Sequence, residues 1–242
     1  MAEQLTLDLP VRAALGRADF FVSSANALAL AQIDGWRDWP AGKLVLTGPA
    51  GAGKTHLAHV WATESGARIV AARDLAALGP ERLAGGAHVA IEDAQVIAGD
   101  RAGEAALFHL HNMVLTEGGR LLLTARAAPS RWELALPDLA SRLEATQIAR
   151  IAPPDDALLS AVLLKLFADR QIAVTPAVIT YLARRMERSL ATAARVVDAL
   201  DAAALAQGRP VSRRLAAEIL ARIAAGGEAG PAPLDSGAGE AQ

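Results

Sequence analysis

The chain has 242 residues, 24 Lys and Arg against 26 Asp and Glu, a formal net charge of -2, and no cysteine. That length allows one or two domains with a sizeable core. The missing cysteines exclude disulfides, thiolate zinc sites and a cysteine nucleophile, and the charge balance lacks the basic excess of a whole-molecule nucleic-acid surface, so DNA is expected only as an indirect or weak partner.

Four stretches follow one another along the chain: an N-terminal arm (1–12), an alternating strand and helix body (13–152), an all-helical region (153–225) and a Gly/Pro/Ala-rich tail (226–242) expected to be disordered. The opening MAEQLTLDLP has neither the basic flank nor the apolar stretch of a secretory signal. No run approaches the roughly 18 apolar residues of a membrane span, so a cytoplasmic protein with no membrane partner is expected. In the body, Lys43–Thr47 (KLVLT), Ala67–Ala71 (ARIVA), Ala87–Ile91 (AHVAI) and Arg120–Thr124 (RLLLT) are short apolar runs at wide spacing. They predict parallel strands buried on both faces. Helical patterns at His56–Glu64 and Glu104–Thr116 lie between them, so the predicted fold is α/β, a parallel sheet sandwiched by helices. Pro153-Pro154 interrupts the pattern and marks the boundary. Beyond it, Asp156–Arg170, Pro176–Arg185, Ala191–Gln207 and Arg213–Ile223 predict a small all-α region.

The segment Gly48-Pro49-Ala50-Gly51-Ala52-Gly53-Lys54-Thr55 matches GxxxxGK[ST] between a predicted strand and a predicted helix, the context that this phosphate-binding loop requires. Its glycines let backbone N–H groups and the helix N-terminus face an anion. Lys54 is then expected on the β- and γ-phosphates of a bound nucleotide, and Thr55 on Mg²⁺. His88-Val89-Ala90-Ile91-Glu92-Asp93 supplies an acidic strand end. Glu92 falls at the position expected to serve Mg²⁺ and Asp93 at the one expected to polarise water, although the reverse order of side-chain lengths predicts binding rather than efficient hydrolysis. Taken alone, such an acidic pair also fits a simple turn. Two close histidine pairs, His56 with His59 and His109 with His111, lack a completing carboxylate or cysteine and are read as packing or hydrogen-bonding residues. Trp36, Trp39, Trp61 and Trp132 are read as packing residues.

GPAGAGKTHLAHVWA (Gly48 to Ala62), with His56 after the threonine, resembles the signature of the DnaA/Hda branch of AAA+ P-loop proteins, and LFHLHN (Leu107 to Asn112) resembles a helix of that branch. Phe20-Phe21-Val22, Ser24 and Asn26 are similar to the family segment that packs near the adenine, and the likeness runs from about residue 4 to residue 223. It implies an AAA+ domain followed by a helical lid. Pro137-Asp138-Leu139-Ala140-Ser141-Arg142-Leu143 resembles the element that carries the arginine finger, which makes Arg142 a trans-acting catalytic candidate; without the resemblance it reads equally as a surface arginine. Thr124 stands at the sensor 1 position, with Arg126 where the family often has aspartate two residues on. The lid arginine of the family aligns with Ala191, leaving Arg195, ahead of Arg188, as the stand-in.

Gln4-Leu5-Thr6-Leu7-Asp8-Leu9 resembles the peptide by which Hda-type proteins bind the DNA polymerase III sliding clamp (β subunit), with Gln4, Leu5, Leu7 and Leu9 as contacts. Its alternation alone fits an edge strand as well. A chain ending soon after the lid is expected to lack the DNA-reading module of DnaA. The resemblance therefore implies a negative regulator of replication initiation that binds adenine nucleotide and the clamp and stimulates hydrolysis of DnaA-bound ATP. Its own ATPase activity is expected to be weak or absent. Nucleotide-dependent self-association is a further expectation. An ATPase loader or motor with its own turnover is the alternative, and a small-molecule P-loop kinase fits the DLASRL element and the helical region poorly.

Overall fold

Apolar residues alternating between the two faces of five short strands hold the molecule together. The computed structural model describes residues 20–85 and 88–226. The clamp-peptide residues Gln4, Leu5, Leu7 and Leu9 lie outside the described residues, as does the tail beyond residue 226. Strands β1 (Lys43–Thr47), β2 (Arg68–Ala71), β3 (Val89–Glu92), β4 (Leu121–Ala125) and β5 (Ile148–Arg150) form one sheet in the order β2-β3-β4-β1-β5. Every neighbouring pair is parallel. Because successive side chains leave a strand on opposite faces, β1 sends Val45 to one side and Leu44 and Leu46 to the other.

On the Val45 face lie α3 (Leu75–Leu78), α4 (Pro80–Ala84), α5 (Arg101–Thr116) and α6 (Pro137–Glu144), whose Leu75, Leu83, Leu107, Leu110 and Leu139 join Ile91 and Leu123. The Leu44 face is covered by α1 (Ala27–Asp34) and α2 (Lys54–Ser65) together with Trp36 and Trp39, so Ile33, Leu57 and Trp61 meet Ala90 and Leu122. All four tryptophans are buried. Helices α7 (Asp156–Asp169), α8 (Pro176–Arg185), α9 (Leu190–Gln207) and α10 (Arg213–Ala224) build a core of their own from residues such as Leu163, Phe167, Leu182, Val197 and Leu200. Side-chain caps fix three of their starts: Asp155 accepts from Leu158 N–H, Ser189 from Thr192 N–H and Ser212 from Leu215 N–H. Between the two cores, Ile151 N–H bonds Thr47 C=O and Ala152 N–H bonds Ala25 C=O, after which Pro153-Pro154 carry the chain off the sheet. Among the described residues no helix is long and apolar enough to cross a membrane.

The strand at 148–150 has no counterpart among the sequence expectations, since three residues are too few to show a period. The Arg142 segment, expected only as a motif, is the helix α6.

Candidate functional site

Where β1 ends, the backbone turns sharply and runs straight into α2. The turn needs glycine at two places for different reasons. A Cβ on Gly48 would stand 2.7 Å from the Ile151 carbonyl oxygen. Gly51 has φ +68, and a Cβ there would stand 2.0 Å from Ser189 Oγ. This second contact belongs to the helical region: Leu190, the first residue of α9, also donates its N–H to Gly51 C=O at 2.7 Å.

The loop, the start of α2 and the start of α9 enclose a cavity of about 320 Å³ lined by Ala50, Gly51, Gly53, Lys54, Thr55, Asp93, Arg126, Leu190 and Ala191. The N-terminus of α2 opens into it, presenting unbonded N–H groups and the positive end of the helix dipole. Lys54 is buried, and its Nζ donates to the Gly48 and Pro49 carbonyls, both at 2.9 Å. Burial holds this ammonium below its usual pKa; Asp93 pushes it back up and Arg126 pushes it further down. The arrangement is an anion cradle: the backbone donors at the start of α2, the two cations Lys54 and Arg126, the Thr55 hydroxyl and the Asp93 carboxylate all line one cavity.

Asp93 reaches the cavity through an uncommon backbone state, φ 53 and ψ 45. Aspartate tolerates this left-handed conformation better than most side chains do. The buried Thr124 holds the turn, its Oγ1 accepting the Asp93 N–H at 3.1 Å. One residue earlier, Glu92 faces an adjacent cavity lined by Ala71, Ala72, Arg73, Asp93 and Val96, and its Oε1 is buried with no hydrogen-bond partner. Of the two acidic residues, Asp93 therefore shares the cavity with Lys54 and Thr55, and Glu92 stands beside it.

On the far side of the sheet end, Asn26 is buried and spends its amide on its own segment: Oδ1 accepts from Ser23 N–H and Nδ2 donates to Phe21 C=O, both at 2.9 Å. Phe20 packs edge-on against His56 with ring centroids 5.3 Å apart. Arg188 and Arg195 are both away from the cavity. Arg188 pairs with Asp156 at 2.8 Å and donates to Pro154 C=O at 3.1 Å, and Arg195 donates to Thr192 Oγ1 at 3.2 Å. The α9 residues that line the cavity are Leu190 and Ala191.

Arg142 lies at the other end of the sheet. Its carbonyl accepts from Nζ of Lys43, the first residue of β1, at 2.7 Å, and its exposed guanidinium sits 5.3 Å from the centre of the Phe108 ring. From Lys43 to Gly48 the chain advances five steps at about 3.3 Å each, about 16 Å, so Arg142 is remote from this chain's own loop. The buried Lys43 also meets His111 Nε2 at 3.1 Å. Helix α6 is anchored by a residue that sequence patterning does not single out: the buried Glu104 accepts Leu136 N–H at 2.7 Å, Ala135 N–H at 2.9 Å and Gly99 N–H at 2.8 Å.

No protein-family model matches the sequence. The chain is similar to domain III of the replication initiation protein DnaA of Thermotoga maritima, with a TM-score of 0.74 at 19% identity over 88% of this chain and 98% of that one. The fold is the AAA+ fold of DnaA domain III. It also matches replication initiator DnaA bound to AMPPCP and single-stranded DNA (TM-score 0.63, 18% identity, 76% of this chain) and AMPPCP-bound DnaA from Aquifex aeolicus (TM-score 0.61, 19% identity, 75% of this chain). The chain spans 63% of the length of each of those two structures. Within this AAA+ fold the ends of β1, β3 and β4 are neighbours, which brings Lys54, Thr55, Asp93 and Thr124 together and leaves Arg142 and Arg195 outside the group. Arg126 is the charged cavity residue that the sequence motifs do not mark as a ligand; its one sequence signal is that it stands where the family often has aspartate.

Proposed function

We propose that the protein binds ATP or ADP in the Lys54 cavity and acts in trans on ATP held by a DnaA-type initiator, supplying Arg142 as the finger and docking on the sliding clamp through Gln4 to Leu9. The observation that carries this reading is the position of Arg142, exposed on α6 and about a full strand length from its own phosphate loop. A guanidinium so placed can reach a γ-phosphate only on another molecule, where such fingers are worth about 10³ to 10⁵ in rate. In its own cavity Thr55 and Asp93 offer oxygen donors suited to Mg²⁺, with Glu92 beside them. Among the described residues no group of three or more His, Asp or Glu side chains is gathered for a metal. The ion would therefore complete its shell with phosphate oxygens and water, as Mg²⁺ commonly does. The outcome of the trans reaction is an ADP-bound initiator and fewer initiations, in a cytoplasmic setting.

A second reading, a loader or motor ATPase, is favoured by one observation: Asp93 is held by Thr124 in the same cavity as Lys54 and Thr55, where a carboxylate could orient water for this chain's own turnover. The two separate in one assay. ATP hydrolysis by DnaA from the same organism is followed with this protein and with or without DNA-loaded clamp, comparing wild type with Arg142→Ala. Clamp-dependent stimulation lost in the variant is expected; hydrolysis by this protein alone, unaffected by DnaA, would establish the second reading.

A further inference from the structure

Two cations face the phosphate cavity, Lys54 from the loop and Arg126 from the turn after β4. The second is placed by backbone pairing rather than by chance of side-chain reach. Ala125 is in register with Thr47 on β1, Gly48 N–H bonds Ala125 C=O at 3.2 Å, and the Arg126 N–H is held by Gln95 Oε1 at 3.2 Å. The Arg126 side chain is exposed, and among the described residues no carboxylate is paired with it. Its charge is nonetheless felt at Lys54, whose pKa it lowers. Two like charges facing one cavity are mutually unfavourable until an anion enters between them, and a triphosphate is the more highly charged of the two nucleotides.

The lid offers nothing equivalent. It contributes Leu190 and Ala191 to the cavity wall, while Arg188 is tied to Asp156 and Pro154 and Arg195 to Thr192. We propose that Arg126 is the guanidinium that contacts the terminal phosphate of bound nucleotide, so that this chain distinguishes ATP from ADP from the sheet side of the cavity, where, among the described residues, the helical region contributes only Leu190 and Ala191. The proposal rests on the nucleotide reading above and assigns a residue within it. Arg126 is thus a binding and specificity residue, and Leu190 and Ala191 contribute apolar contact instead of charge.

The test is competition binding of ATP and ADP to the full chain against a fluorescent adenine nucleotide. A charge-assisted contact made only by the γ-phosphate predicts that Arg126→Ala weakens ATP about 10- to 100-fold and ADP less than about threefold. The double variant Arg126→Ala/Ala191→Arg, which returns a guanidinium to the same cavity from the lid, is expected to regain most of the ATP preference. An unchanged ATP to ADP ratio in Arg126→Ala overturns the assignment, as does loss of the preference in Arg195→Ala instead. If wild type binds both nucleotides and Lys54→Ala binds neither, only the Arg126 assignment is at stake in those outcomes. Wild type that binds no adenine nucleotide overturns the underlying reading and this one together.

Discussion

Replacing Glu104 should unfasten α6, and the size of the effect can be worked out from its three bonds. The carboxylate is 1% exposed and accepts N–H groups of Gly99, Ala135 and Leu136, the last two leading directly into α6. Glu104→Ala leaves three donors without a partner, each costing about 1 to 3 kcal/mol when water cannot reach it, so a loss of about 4 kcal/mol is expected. Glu104→Gln keeps the shape but turns an NH₂ toward one donor and removes the charge from the others; about 2 kcal/mol is expected. For a chain of this size, 1 kcal/mol corresponds to about 2 to 4 °C in Tm, so the alanine variant should melt about 8 to 16 °C lower. Urea unfolding followed by tryptophan fluorescence is a suitable assay, because Trp36, Trp39, Trp61 and Trp132 all belong to the two cores flanking the sheet. A glutamine variant as stable as wild type, or an alanine variant within 1 kcal/mol of it, would refute the reasoning. Because Arg142 rides on the helix that Glu104 anchors, the glutamine variant should also lose trans stimulation while keeping nucleotide affinity.

Gly51→Ala combines a left-handed residue, which costs about 1 to 2 kcal/mol with a side chain, and a Cβ driven onto Ser189; calorimetric titration should show at least tenfold weaker nucleotide binding, and wild-type affinity would contradict the docking of α9 on the loop. His111 and His88 both have pKa values lowered chiefly by burial, with Lys43 and Arg142 adding to the effect at His111 and Arg120 and Arg37 at His88. The unfolded chain therefore takes up protons first as pH falls below about 6.5, and stability should drop with a slope of up to about 1.4 kcal/mol per pH unit per histidine. Denaturant melts across pH 5 to 7 should show this slope reduced in His111→Gln, and an unchanged slope would sink the account. The Asp155 carboxyl is held below its usual range by the Leu158 N–H it caps and by Ser24, so its contribution is present at neutral pH and lost as pH falls below about 3.8. Asp155→Ala should cost about 1 kcal/mol at pH 7 in a thermal melt, the usual worth of such a cap, and no loss would contradict the capping geometry.

Features set by local chemistry were legible in the sequence. KLVLT and RLLLT read as strands because both of their faces are buried, and the loop GPAGAGKT is recognisable because Gly48 and Gly51 stand where a side chain would collide and Lys54 supplies a charge beside them. What stayed hidden depends on tertiary placement. Ile148–Arg150 is too short for periodicity and becomes a strand only beside Val45–Thr47. In the sequence Glu92 and Asp93 are given separate roles by position alone; the left-handed turn at Asp93 brings its side chain, and not that of Glu92, to the Lys54 cavity. Glu104 resembles any helical glutamate until the chain returns some 30 residues later to lay two N–H groups on it. Arg126 and Ala191, 65 positions apart in the numbering, meet across one cavity, and no local pattern relates them.

The single bond from Leu190 N–H to Gly51 C=O makes the phosphate loop a fulcrum. Helix α9 runs 18 residues from that point, about 27 Å at 1.5 Å per residue. A tilt of about 5° at the loop therefore carries its far end through about 2 Å, and the helices packed on it must follow. A displacement at the loop is thus enlarged at a surface about 27 Å away.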